Sequence, residues 1–185
     1  MGGTYFLGKH IVSELEYRNH NVTLFNRSTF GDRNANDINK LKGMEFDCVI
    51  DISGYTQYQI STLIDVIRNT IPYYIFISST ASILGSDEYA IDKKESEEEI
   101  MKRYDKYLIM RPYYLCGDYD YTDRFDYSQW PKVYWKGTTN EVDYDDVELF
   151  AKKLIDLIED NTIGIKWRID GDLIKKNELV RNYGN

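Results

Sequence analysis

The 185-residue chain holds few of the residues that mark special environments: 3 prolines, 2 cysteines and 2 histidines. Cys48, Cys116, His10 and His20 cannot assemble a Cys/His zinc site of any usual spacing, so no metal ligands are expected. No stretch approaches the ~20 apolar residues needed to cross a bilayer. Met1 leads straight into glycines, with no secretory pattern. Cations are scarce as well: 23 Lys and Arg face 31 Asp and Glu, for a formal charge of −8 and a pI near 4.8. Such a surface argues against a nucleic-acid partner, which needs basic residues to displace counterions. What is plentiful is apolar and aromatic material, 42% and 15% of residues, enough to offset chain entropy. The expectation is a soluble, cytoplasmic, acidic domain with a small-molecule substrate, no membrane contact and a homodimer left open.

Apolar spacing alternates between two periods. Leu7, Ile11, Val12 and Leu15 share a helical face, and residues 21–26 (NVTLFN) read as a short strand. Residues 47–52 (DCVIDI) form an apolar run closed by Ser53 and Gly54, suited to a strand buried on both faces. Ile60, Leu63, Ile64 and Ile67 predict a second helix, punctuated by Pro72, and residues 73–78 (YYIFIS) the next buried strand. A charged helix is predicted over 88–103 and a strand over 106–111 (KYLIMR). Residues 117–141 show little periodicity. A last helix, capped by Asp143 or Asp145, aligns Val147, Phe150, Leu154 and Leu157, and 163–169 read as a final strand. Helix alternating with strand requires crossover connections. The predicted fold is therefore α/β, with a mostly parallel sheet and helices on both faces.

Gly2-Gly3-Thr4-Tyr5-Phe6-Leu7-Gly8 opens the first helix. Glycines in such a turn let the backbone approach a pyrophosphate, whose charge the free N–H groups of a helix N-terminus hold. An ordinary glycine-rich turn reads the same way in isolation. The stretch GGTYFLGKHIVSELEYRNHNVTLFNR, followed in order by VIDISGYT, FISSTASILG, YAIDKK, LIMRPYYLCG and more weakly VDYDDVELFAKKL, resembles the extended short-chain dehydrogenase/reductases. Within that superfamily it is similar to the NAD-dependent epimerase/dehydratase family, in the branch written GGTxFxG, which includes sugar-nucleotide epimerase-like proteins and RNA-associated relatives.

The resemblance implies a Rossmann-type, doubly wound fold, with residues 1–116 as the dinucleotide-binding domain and 117–185 as a short substrate-side region whose helix and strand return to the sheet. It also implies an NAD(P)-dependent oxidoreductase or epimerase acting on a hydroxyl or carbonyl of a small polar substrate, such as a nucleotide sugar. Its cofactor-binding residues would be Gly2, Thr4, Tyr5, Phe6, Leu7 and Gly8, with Tyr5 narrowing the groove beside the phosphates. An acid after the second strand favours NAD and an Arg favours NADP; here Asn26 and Arg27 stand there, so the reading leans to NADP. Asp32 matches the position that meets the adenine amino group, and also reads as a plain turn acid. Gly54 would offer a backbone contact, and Pro112 closes the strand whose backbone meets the nicotinamide amide. By motif the catalytic residues are Thr80, which holds the substrate oxygen, Tyr89 and Lys93. Residues i and i+4 share a helix face, and the ammonium would favour phenolate, readying Tyr89 for acid–base work while also meeting the nicotinamide ribose. In a chain with 17 tyrosines chance alone supplies such pairs, and Tyr5/Lys9 is another. Of the remaining residues, Arg124 could clamp a phosphate but reads better as surface, and Cys48 as a small buried hydrophobe.

Three departures qualify the resemblance. Only Met1 precedes the glycine loop, where a buried central strand is usual. Only Ser28, Thr29 and Phe30 separate Arg27 from Gly31, which leaves no room for a third strand. Nine positions separate Thr80 from Tyr89, an unusually short interval. The preferred explanation is a missing N-terminal segment and missing loops; the alternatives are a reduced gene or a degenerate copy. A chain complete as written would bind cofactor weakly and turn over little, which keeps open a non-catalytic NAD(P) sensor, an RNA-associated relative or an inactive truncated copy.

Overall fold

A computed structural model describes residues 1–34, 36–130 and 132–167. Four strands, β1 (Val49–Asp51), β2 (Tyr74–Ile77), β3 (Tyr107–Arg111) and β8 (Gly164–Trp167), form one sheet in that order, parallel at every pairing. Each connection carries helix: α2 (Gln57–Ile67), then α3 (Ala81–Leu84) with α4 (Glu88–Arg103), and finally α5 (Val147–Glu159). Parallel strands joined by crossovers bury both faces, and the sequence supplies both. Tyr74, Phe76 and Ile109 face α2 and α4, joining Ile60, Leu63, Ile64, Ile67 and Ile100 in one core. Their neighbours Tyr73, Ile75, Ile77, Leu108 and Met110 face α5 and α1 (Phe6–Tyr17), meeting Leu7, Ile11, Phe150 and Leu154 in the other. This is the α/β, mostly parallel arrangement expected.

Local chemistry sets the helix starts. Thr56 caps α2 in a reciprocal box with Gln59, and Asp87 caps α4 by accepting from Ala90 N–H at 2.9 Å. The cap of α5 is Asp146, which accepts from Leu149 N–H at 2.8 Å, and neither Asp143 nor Asp145. Asp145 instead accepts from Tyr113 N–H at 2.8 Å, holding the turn after β3.

Residues 21–26 run without the ladder of a strand. Their link to the sheet is Gly2 N–H donating to the Phe25 carbonyl at 2.9 Å. Met1 lies beside β1 in ladder positions: its amine donates to Ile50 O at 2.8 Å, and Ile52 N–H donates to Met1 O at 3.2 Å. Residues 27–34 make turns, as their brevity requires, before a 3₁₀ turn at Asn36–Leu41.

Residues 117–141, which lack periodicity, close partly through long-range pairing. β4 (Tyr114–Cys116) pairs in parallel with β7 (Tyr144–Asp146), and β5 (Phe125–Asp126) pairs antiparallel with β6 (Tyr134–Trp135). Cys116, Phe125 and Val133 form a third, small core roofed by Trp130, Trp135 and Tyr144. The last strand spans 164–167; residues 168–169 of the expected strand, like the rest of the expected region to 185, lie outside the described residues.

Candidate active site

The residues singled out from the sequence gather at the carboxyl ends of β1, β2 and β3 and at the amino end of α1, the usual place for ligands on an open parallel sheet. Gly2 and Gly3 hold φ of 91° and 115°, a region side chains disfavour. A Cβ on Gly8 would stand 2.5 Å from the Gly3 Cα, so the helix presses directly on the turn. The N-cap residue Tyr5 makes no side-chain cap bond, which leaves the first turn of α1 to its backbone N–H groups. Tyr5 itself is 75% exposed, with its ring centre 6.1 Å from that of Tyr121. Leu7 is buried in the α1–α5 core, and its part in any ligand contact is limited to its backbone. Thr4 is exposed and Phe6, at φ 41°, is half-buried.

After the run at 21–26, Asn26 Oδ1 accepts from Ser28 N–H and Oγ at 2.9 and 2.6 Å, while its Nδ2 is buried with no partner. An orphaned donor there, beside a turn that glycine alone fits, suits an acceptor-rich ligand such as a dinucleotide. Arg27 and Asp32 are brought together, with Nε donating to Oδ2 at 2.9 Å; the Arg27 side chain stays 79% exposed.

Tyr89 and Lys93 lie on the first two turns of α4. Lys93 is only 3% exposed; its Nζ donates to the carbonyls of Gly54 at 2.8 Å and Ile77 at 2.9 Å. The ammonium lies 4.6 Å from the Phe76 ring centre, 5.0 Å from that of Tyr55 and 5.9 Å from that of Tyr89. Burial pulls its pKa down to about 8, against the opposing pull of Asp51. Tyr89 is 40% exposed, and burial pushes its phenol up; a hydrogen bond with Ser79 and the Arg124 charge act the other way. The expected lowering of the phenol by Lys93 is thus reversed at rest, because burial outweighs its cationic surroundings.

Thr80 is nearly buried at the start of α3, where its N–H donates to the Pro112 carbonyl at 3.1 Å. That bond joins two of the expected site residues through backbone alone. The hydroxyl beside the phenol is that of half-buried Ser79, which sequence reasoning passed over; three consecutive hydroxyl residues after β2 were the available signal. Behind them, Glu97 on α4 accepts from Ser78 Oγ and takes both Nε (2.9 Å) and Nη2 of Arg111 at the end of β3. A two-pronged pair of this kind fixes α4, and with it Tyr89, against the strand ends.

No family model matches the chain, and no curated protein matches it. Solved structures do. A "Putative NAD-dependent epimerase/dehydratase" from Bacillus halodurans superposes with a TM-score of 0.63 at 15% identity, covering 89% of both chains. A dTDP-4-dehydrorhamnose reductase from Clostridium acetobutylicum ATCC 824 superposes at 0.65 and 15% identity, covering 90% of this chain and 71% of that one. What the chain shares with them is the fold, a Rossmann-type α/β domain with a mostly parallel central sheet.

Proposed function

We propose that the protein is a nicotinamide-dinucleotide-dependent oxidoreductase acting at a hydroxyl or carbonyl carbon of a small polar substrate. The observation that carries this reading is the Gly3–Gly8 approach at the mouth of α1, with Tyr89 and Lys93 at the carboxyl ends of the adjoining strands. Gly2, Gly3 and the amides of the first turn of α1 would hold the diphosphate, Asn26 Nδ2 the adenosine side, and the Gly54 loop the middle. When bound, the nicotinamide supplies or accepts a hydride. Tyr89 then gives or takes the proton at the reacting oxygen, and the hydroxyls of Ser79 and Thr80 orient that oxygen. NADP is the favoured form, since the exposed Arg27 guanidinium remains accessible to a 2′-phosphate. A nucleotide sugar is the proposed substrate class, in keeping with the reductase among the structural neighbours.

Calorimetric titration with NADP and NAD separately tests the cofactor half, with tighter binding of NADP expected. Near-ultraviolet absorbance during incubation with reduced cofactor and a panel of sugar nucleotides tests the chemistry. A second reading has its own support: two protons of the Lys93 ammonium are already given to backbone carbonyls, and the Tyr89 phenol is held high. A sensor that binds the dinucleotide without turnover fits those facts, and would show binding with no absorbance change on any substrate.

A further inference from the structure

Arg33 belongs to none of the roles above, yet its side chain is only 7% exposed and meets a fully buried Asp51 at the end of β1. The pairing is two-pronged, Nη1 to Oδ1 at 2.6 Å and Nη2 to Oδ2 at 3.0 Å. Tyr74 OH donates to the same carboxylate at 2.8 Å. A buried pair is retained only where further hydrogen bonds compensate desolvation, and here those bonds lead to one short loop, residues 53–56. Asp51 Oδ1 accepts from Ser53 N–H at 3.2 Å, and Arg33 Nη1 donates to Ser53 Oγ at 3.2 Å. Arg33 Nη2 also donates to the Gln59 carbonyl at 3.1 Å, while the Gln59 side chain accepts from Tyr55 N–H at 2.9 Å.

The same loop is gripped from α4. Lys93 donates to the Gly54 carbonyl, and Ser96 Oγ to the Tyr55 carbonyl at 3.3 Å. Gly54 has no slack: a Cβ there would meet Ile60 Cδ1 at 2.6 Å and Asp51 Oδ2 at 2.9 Å. One four-residue loop is therefore clamped between the adenosine-side turn, through Arg33, and the acid–base helix, through Lys93.

We propose that Arg33 is a positioning residue, which through Asp51 and Ser53 fixes the 53–56 loop and so sets where Gly54 holds the Lys93 ammonium beside Tyr89. Its consequence for turnover rests on the oxidoreductase reading; the chain of contacts does not. The groups facing Lys93 are Asp51 on β1, Arg33 from the turn, Glu97 on α4 itself, and the rings of Tyr55, Phe76 and Tyr89. Loss of the Arg33 charge removes a cation from that set, which favours the protonated lysine.

The test uses the full chain with Arg33→Met, Arg33→Lys and Ser53→Ala. Amide hydrogen exchange across 53–56 should quicken about tenfold in Arg33→Met while α5 stays protected, with Arg33→Lys intermediate. The pH midpoint for acylation of Lys93, followed by peptide mass spectrometry, should move upward in Arg33→Met. Dinucleotide affinity should fall about tenfold in the same variant. If Arg33→Met does not fold, Ser53→Ala decides, because it cuts one link and keeps the buried pair; a rise of about threefold in loop exchange is then expected. Unchanged loop exchange and an unchanged Lys93 midpoint in a folded variant overturn the proposal, as does exchange that quickens throughout the molecule. A wild-type chain that binds no dinucleotide refutes the oxidoreductase reading and leaves the loop result to stand or fall separately.

Discussion

Tyr89 and Lys93 share one face of α4 but live in different surroundings, and their behaviour should differ accordingly. Tyr89→Phe removes the proposed proton carrier and little packing, so turnover should fall by about 10²–10⁴-fold with dinucleotide affinity unchanged; steady-state kinetics beside calorimetry checks both. For Lys93, burial holds the folded pKa near 8, below the 10.5 of an exposed lysine. Below pH 8 the folded state carries the whole penalty of a buried ammonium. Between pH 8 and 10.5 the unfolded chain binds the extra proton, so this group's contribution to stability rises with pH. The melting temperature of Lys93→Met relative to wild type should therefore be highest below pH 8 and decline toward pH 10.5, as scanning calorimetry across that range will show. The tyrosine–lysine spacing was readable in the sequence. The reversal of the phenol's pKa was not, because it depends on burial that no local pattern encodes.

Among the elements, α1 and α4 carry the site by different means. α1 depends on absence of atoms: Gly8→Ala would drive a methyl to within 2.5 Å of the Gly3 Cα. The turn must open in response, and dinucleotide affinity should be lost in calorimetry while the far-ultraviolet spectrum stays native. α4 depends on a charge pair. Glu97→Gln leaves the Arg111 guanidinium, only 12% exposed, without its counter-charge, and the expected loss is about 3–5 kcal/mol in denaturant unfolding. Strands β1 to β3 and helices α2, α4 and α5 announce themselves through apolar spacing. The run at 21–26 carries the same spacing, yet a ladder needs a neighbour at hydrogen-bonding distance, and Gly2 offers it a single bond. Arg33 was invisible for the converse reason, since an arginine between an aspartate and an asparagine reads as a polar turn until Asp51 is brought to it.

For the molecule as a whole, ligand binding to the folded state alone should raise stability, by about 2.7 kcal/mol at a hundredfold excess of NADP over its dissociation constant. Thermal unfolding with and without NADP measures this, and an unchanged melting temperature would remove the dinucleotide from the account. The layered sheet was legible because each layer is written in local periodicity. The packing of residues 117–146 was not, because β4 pairs with β7 across some thirty residues of chain and Tyr114, Phe125 and Trp135, distant in sequence, meet in one aromatic cluster. That small aromatic core stands apart from the two that sandwich the sheet. Separate cores let mutations accumulate in one without unsettling the others, so residues 117–146 are free to vary while the sheet and the two cores that flank it keep their packing.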